Sequence, residues 1–72
     1  MGGQQQISKR PAALELRVLA RVVAGESYRE IAAAEYLSSR TVRRLVGRLK
    51  QQAGAENLVA LGAEATRRGW LR

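Results

Sequence analysis

The sequence contains no cysteine, histidine or aspartate among its 72 residues, and its acidic residues are six glutamates. Without cysteine and histidine, the chain forms no disulfide and lacks the usual ligands of structural zinc. The glutamates are scattered along the sequence and form no cluster suited to catalysis. We therefore expect a protein that is not an enzyme and that uses no metal or cofactor.

Long hydrophobic runs are also absent. No apolar stretch approaches the ~20 residues that span a bilayer, and the first residues lack the apolar core of a signal peptide. We therefore expect no membrane partner and a cytoplasmic location. A chain of this length makes one small domain that buries only about 60% of its unfolded surface, so a partner subunit would help to stabilise it.

Positive charge dominates what the sequence does contain. Thirteen lysines and arginines oppose the six glutamates and give a formal net charge of +7. A small basic domain is attracted to polyanions. At this point nucleic acid, an acidic protein surface and an anionic membrane are the candidate partners.

Apolar residues recur at helical spacing in four segments, and no segment alternates as a strand would. Pro11 suits the first turn of helix one, and Gly25 suits its end. Ser27 and Glu30 have the spacing of a capping box, and Ser38 or Ser39 is expected to cap helix three. The sequence predicts an all-α fold, with a disordered basic arm over residues 1–9 and helices at about 11–24, 28–35, 39–53 and 58–68.

Helix three carries the clearest chemical signal. One side of it is apolar, with Val42, Leu45, Val46 and Leu49 at spacings of three, four and seven residues. The other side is rich in arginine, and no acidic residue falls between positions 36 and 55. A basic helix that follows another helix after a short turn is typical of a helix-turn-helix that enters the DNA major groove. The simpler interpretation is a solvated, charged helix surface.

The sequence resembles the LuxR/GerE-type helix-turn-helix, the four-helix effector domain of NarL-like response regulators. The positions that match its pattern without a gap are Val18, Leu19, Val22, Gly25, Ser27, Glu30, Ile31, Ala32, Leu37, Ser38, Thr41, Val42, Val46 and Leu49. The tail also agrees, at Gly54, Asn57, Leu61, Ala63, Ala65, Gly69 and Leu71. The resemblance implies a four-helix LuxR/GerE-type DNA-binding domain over residues 10–72.

That resemblance implies a sequence-specific transcriptional regulator that binds double-stranded DNA, with helix three (about 39–53) in the major groove. It implies base contacts from Arg43, Arg44 and Gly47. It implies phosphate contacts from Ser38, Ser39, Arg40, Thr41, Arg48 and Lys50. Helix four is the dimerisation element of the family, so either it forms a homodimer or it only covers the core. The dimer contacts would be Ala60, Ala63, Glu64 and Arg67.

The sequence departs from the family pattern near the turn. The family's core leucine is Glu35 here, and its turn glycine is Tyr36. A buried unpaired carboxylate and a tyrosine with positive φ are both costly. We therefore expect a reshaped turn, with Glu35 directed outward or paired with an arginine. At position 47, glycine replaces a polar base-reading residue, so either one base contact is lost or the backbone approaches DNA more closely. Trp70 is expected to fold back as an apolar plug.

Two other functions remain open at this stage. The Gly-x-Ser-x-x-Glu-Ile-Ala stretch is shared with sigma-factor region four, a module that contacts promoter DNA and RNA polymerase. The departures at Glu35, Tyr36 and Gly47 instead favour a protein-interaction domain that kept the fold and lost specific DNA binding. Its partner would then be a regulatory protein.

Overall fold

The computed structural model describes residues 10–71, and the predicted basic arm over residues 1–9 lies outside them. Within the described range the chain contains four helices and no strand, which confirms the all-α prediction. The helices are α1 (Ala13–Val23), α2 (Tyr28–Glu35), α3 (Ser39–Ala53) and α4 (Leu58–Arg67). The bounds of α2 and α3 agree with those predicted, and α4 ends one residue earlier.

Helix α1 begins two residues later than predicted. Ala12 is extended (φ −67°, ψ 162°), and its amide donates to Glu15 Oε1 at 3.0 Å. Pro11 therefore precedes the cap instead of occupying the first turn, and it is buried. At the other end, Gly25 takes a φ of +94°, a left-handed conformation that glycine adopts without strain. The helix ends at Val23, one residue earlier than predicted, and Ala24 is the cap residue between it and this glycine.

Side-chain caps start the other three helices. Ser27 Oγ accepts from the amide of Glu30 at 3.1 Å, and Glu30 Oε1 accepts from the amide of Ser27 at 2.8 Å. This is the predicted reciprocal capping box. Ser38 caps α3 and Asn57 caps α4, each accepting from the amide of the third helical residue, at 3.0 and 2.8 Å. Caps of this kind each contribute about 1 kcal/mol to helix stability.

All four helices contribute to one apolar core. The largest fully buried side chains are Leu19, Ile31, Leu49, Leu61, Val18, Val42 and Val46. Helix α3 packs against each of the other three helices. Because it does so through its apolar stripe, the opposite side of α3 remains on the surface. Trp70 is only 7% exposed and joins the same core, which confirms that it is an apolar plug.

The turn between α2 and α3 does not avoid positive φ at Tyr36, so the expectation that it would be reshaped to escape this strain was wrong. Tyr36 itself takes the left-handed conformation (φ 58°, ψ 43°) and leaves its side chain 94% exposed. In this conformation the amide of Leu37 donates to the carbonyl of Ala32 at 2.8 Å. The turn therefore satisfies a carbonyl at the end of α2, which offsets part of the strain of a tyrosine at positive φ.

Candidate nucleic-acid interface

The glutamate at the turn is paired, as one of the two expected alternatives stated. Arg17 Nε donates to Glu35 Oε1 at 3.1 Å, and Arg21 Nε donates to Glu35 Oε2 at 3.0 Å. Only 9% of the Glu35 side chain is exposed. The hydrogen bonds from Arg17 and then Arg21 lower the pKa of Glu35 below its ordinary value. Arg21 also pairs with Glu26 at 3.1 Å, so this network ties α1 to α2 and occupies both arginines.

A second ion-pair cluster lies on α4. Glu64 pairs with Arg67 and with Arg68, the latter at 2.7 Å from Arg68 Nε. Hydrogen bonds from Arg68 and then Arg67 lower the pKa of Glu64. The guanidinium of Arg68 also lies 5.4 Å from the centroid of the Trp70 ring. Glu64 and Arg67, predicted to contact a second subunit, are therefore already paired with each other within one chain.

One arginine of α3 has an acidic partner. Arg48 Nη2 lies 3.7 Å from Glu15 Oε2, and the Glu15 side chain is only 13% exposed. The Arg48 side chain remains 65% exposed. This predicted phosphate ligand is therefore partly neutralised by α1 before any nucleic acid binds.

Other cations remain without a carboxylate partner. Among residues 10–71, six basic side chains have no carboxylate oxygen within ion-pair distance. One of them, Arg10, donates instead to the carbonyl of Gly69 at 3.5 Å. The other five are Arg29, Arg40, Arg43, Arg44 and Lys50. We call these five residues the basic surface. Four of them lie on α3, on the side opposite its apolar stripe, and Arg29 lies on the first turn of α2. Positive charge is therefore concentrated where α2 and α3 meet solvent.

Hydroxyl groups surround the start of α3. Ser38 Oγ accepts from the Thr41 amide and donates to Thr41 Oγ1, both at 3.0 Å. Ser38 is therefore the cap, and Ser39 is the first helical residue. The structure brings Ser38, Ser39 and Thr41 together beside Arg40. The Ser38 hydroxyl uses its proton on Thr41 Oγ1, which accepts it and keeps its own proton to donate.

Gly47 lies on the same side of α3 as the basic surface. A Cβ atom placed on it would meet no atom within 4 Å. The packing of this protein therefore does not require glycine at position 47. Its small size matters only toward whatever approaches this side of the helix from outside.

Two residues on α2 were missed by the sequence interpretation. The guanidinium of Arg43 lies over the ring of Tyr28, with Cζ 5.8 Å from the ring centroid. The next residue of α2, Arg29, is exposed. Sequence reasoning treated the first turn of α2 only as a capping box. The signal that was available is the pair Tyr28-Arg29, an aromatic and a cation within that capping box.

The four predicted dimer residues lie in two different environments. Ala63 is exposed and Ala60 is half-buried, whereas Glu64 and Arg67 belong to the ion-pair cluster. Next to Ala63 is an apolar groove between α1 and α4 that the sequence interpretation did not predict. Its lining includes three exposed apolar side chains: Val23 (51% exposed), Leu58 (42%) and Val59 (84%).

No protein-family model, curated protein or solved structure matches the chain. Within residues 10–71, the four helices are too short or too polar to cross a lipid bilayer. The function proposed below therefore rests on the positions of the charged side chains, the helix caps and the exposed groups.

Proposed function

We propose that this chain is a sequence-specific regulator of transcription that binds double-stranded DNA. In this proposal α2, the turn and α3 act as a LuxR/GerE-type helix-turn-helix, with α3 in the major groove. The supporting observation is the separation of charge. Glutamates pair with the arginines of α1 and α4, whereas the basic surface has no carboxylate partner in the described part of the chain.

The roles within the groove follow from position on α3. Arg43 and Arg44 would read bases, because a guanidinium binds guanine O6 and N7 bidentately and contributes roughly 1–3 kcal/mol of discrimination. Gly47 would let the backbone of α3 approach the base edges. Phosphates would be bound by Ser39, Arg40, Thr41, Lys50 and, in addition to the residues predicted from sequence, Arg29.

Two predicted phosphate ligands would bind only by giving up contacts within the protein. Ser38 would exchange its hydrogen bond to Thr41 Oγ1, and Arg48 would exchange its ion pair with Glu15. Both exchanges reduce the net gain from a phosphate contact. We therefore expect Ser38 and Arg48 to contribute less affinity than Arg40 and Lys50.

Regulators of this kind bind paired half-sites as dimers, and the proposed occupant of the α1–α4 groove is a second copy of this chain. Val59 and Ala63 would lie at the contact, with Val23 and Leu58 beside them and the Glu64–Arg67 pair at its rim. These side chains supply far less than the roughly 800 Å² per partner that a stable interface buries. The dimer would therefore be weak and would form chiefly on DNA.

The test is a selection from a random duplex library at about 150 mM salt, followed by sequencing of the bound fraction. An enriched sequence, and a repeat with defined spacing, would support the proposal. Arg44→Ala should then relax the preference at one base position. Lys50→Ala should weaken binding to every sequence and reduce the salt slope by about one. Arg68→Gln removes the same charge just after the end of α4 and serves as the control that keeps sequence preference.

Other outcomes would favour the alternative functions. Weak binding without enrichment, lost as salt rises, would mean that the charge attracts DNA only non-specifically. The exposed Tyr36 side chain, held at the turn in a strained conformation, would then favour a protein-interaction domain. Specific binding seen only together with RNA polymerase would favour the sigma-region-four-like module.

A further inference from the structure

An aromatic contact connects the two helices that would carry DNA recognition. Tyr28 is the first residue of α2, and its side chain is half-buried against the hydrophobic core. The Arg43 guanidinium lies over this ring, 5.8 Å from its centroid. No other arginine of the basic surface has an aromatic ring beneath it in the described part of the chain. Arg43 is therefore the one member of this surface that is held by a partner.

Such a contact restricts a side chain that would otherwise be mobile. Arginine has many rotamers, and ordering them on binding costs free energy that lowers affinity. The ring beneath Arg43 is itself fixed by its packing, and the attraction between a cation and a ring face favours one placement of the guanidinium. Part of the entropy cost of ordering the Arg43 side chain has therefore already been incurred in the free protein, before DNA binds.

We propose that Tyr28 is a positioning residue that holds the Arg43 guanidinium ready for DNA. This proposal rests on the proposed function and deepens it, because it identifies which arginine is ordered before binding. Arg44 and Arg40 have no such support and must be ordered by DNA itself. Loss of the ring should therefore weaken binding through Arg43 alone, by about two- to fivefold, the scale of an exposed cation–π contact.

The experiment compares Tyr28→Phe with Tyr28→Leu, each alone and combined with Arg43→Ala. The probe is the duplex enriched by the library selection, and thermal unfolding verifies that every variant is folded. Phenylalanine keeps the ring and should keep the affinity, whereas leucine keeps apolar volume without a π face and should lose two- to fivefold. In the Arg43→Ala background, Tyr28→Leu should have no further effect.

Three results would overturn the proposal. Equal losses for phenylalanine and leucine would mean that the ring face is irrelevant. A leucine effect that persists in the Arg43→Ala background would mean that Tyr28 acts only through packing. Tighter binding by Tyr28→Leu would mean that the ring holds Arg43 away from DNA.

A measurement on the free protein separates this proposal from the proposed function. The δ protons of Arg43 should show an upfield ring-current shift by nuclear magnetic resonance that Tyr28→Phe retains and Tyr28→Leu removes. If the shift is present but no duplex is enriched, DNA recognition fails, and with it the role of the ring in DNA binding. If a duplex is bound specifically but the shift is absent, only the role of Tyr28 fails.

Discussion

Replacing Gly47 with alanine should separate the stability of this protein from its binding to DNA. Gly47 lies in the interior of α3, and an added Cβ would meet no atom within 4 Å. The methyl group therefore fits without displacing a neighbour. Glycine is about 1 kcal/mol less favourable than alanine inside a helix, and in a domain of this size that difference corresponds to about 4–8 °C in Tm. We expect Gly47→Ala to raise the Tm by about this amount.

Binding should change in the opposite direction. In the proposed complex the backbone at position 47 faces the base edges, so the new methyl group would lie between α3 and the DNA. Forcing an extra methyl into a packed contact costs typically 1–3 kcal/mol, which corresponds to an affinity loss of at least about fivefold. A variant that is more stable yet binds DNA more weakly would be difficult to explain by misfolding.

The assays are thermal unfolding by circular dichroism and fluorescence anisotropy with the selected duplex. Gly62→Ala is the matched control for helix propensity, because a Cβ there makes an ordinary 3.8 Å contact with Val23 Cγ2. It should raise the Tm to a similar extent. Gly62 lines the α1–α4 groove, so both variants are compared on a duplex with a single half-site, where the proposed dimer contact is not used. Unchanged or tighter DNA binding by Gly47→Ala would refute the placement of this side of α3 in the groove. A lower Tm for Gly47→Ala would refute the claim that a methyl group at position 47 fits without displacing a neighbour.

Three further predictions concern the turn, the paired carboxylate of Glu35 and the groove. Tyr36→Gly should raise the free energy of unfolding by roughly 0.5–1 kcal/mol in urea titrations, because relief of left-handed strain exceeds the added freedom of the unfolded chain. Glu35 has a lowered pKa, so its stabilisation is complete above the unfolded-state value of about 4.5 and is lost as pH falls through the lowered folded-state value. Glu35→Gln should therefore reduce the loss in the free energy of unfolding as pH falls below about 4.5. An unchanged acid dependence would show that other carboxylates control it. Val59→Glu should leave the Tm nearly unchanged and reduce binding to paired half-sites more than to a single half-site, whereas equal reduction would argue against the α1–α4 groove as the dimer contact.

The pairing of the glutamates has a consequence for how the charge of this domain is presented. The net charge of +7 is not spread evenly, because Glu35 and Glu64 each have two arginine partners on α1 or α4. The same number of glutamates placed along α3 would leave the net charge unchanged and remove the basic surface. The field at the surface therefore depends on where the unpaired charges lie as well as on the net charge.

Local features of the structure were predictable from the sequence. The capping box of Ser27 and Glu30, the stop at Gly25 and the apolar stripe of α3 all involve residues within about one or two helical turns of one another. The helical period alone relates them in space. The start of α1 was misplaced for the same reason, because Pro11 is locally compatible both with the first turn and with the residue before the cap.

The candidate site was predictable in part. The helical period places Arg40, Arg43 and Arg44 on one side of α3, so their exposure follows from the sequence. Which cations remain unpaired did not follow, because Arg48 finds its partner on α1, 33 positions earlier. The cation–ring contact of Arg43 likewise joins two helices whose relative placement no local pattern specifies.

The all-α class, the caps, the apolar faces and the basic side of α3 could therefore be derived from the sequence, since each depends on spacing along one helix. Three contacts could not: Glu35 is shared by two arginines of α1, Tyr36 adopts a left-handed conformation at the turn, and Tyr28 lies beneath Arg43. These contacts depend on the distances and angles between packed helices. Those are set by how all four apolar faces fit together in one core and not by any segment alone.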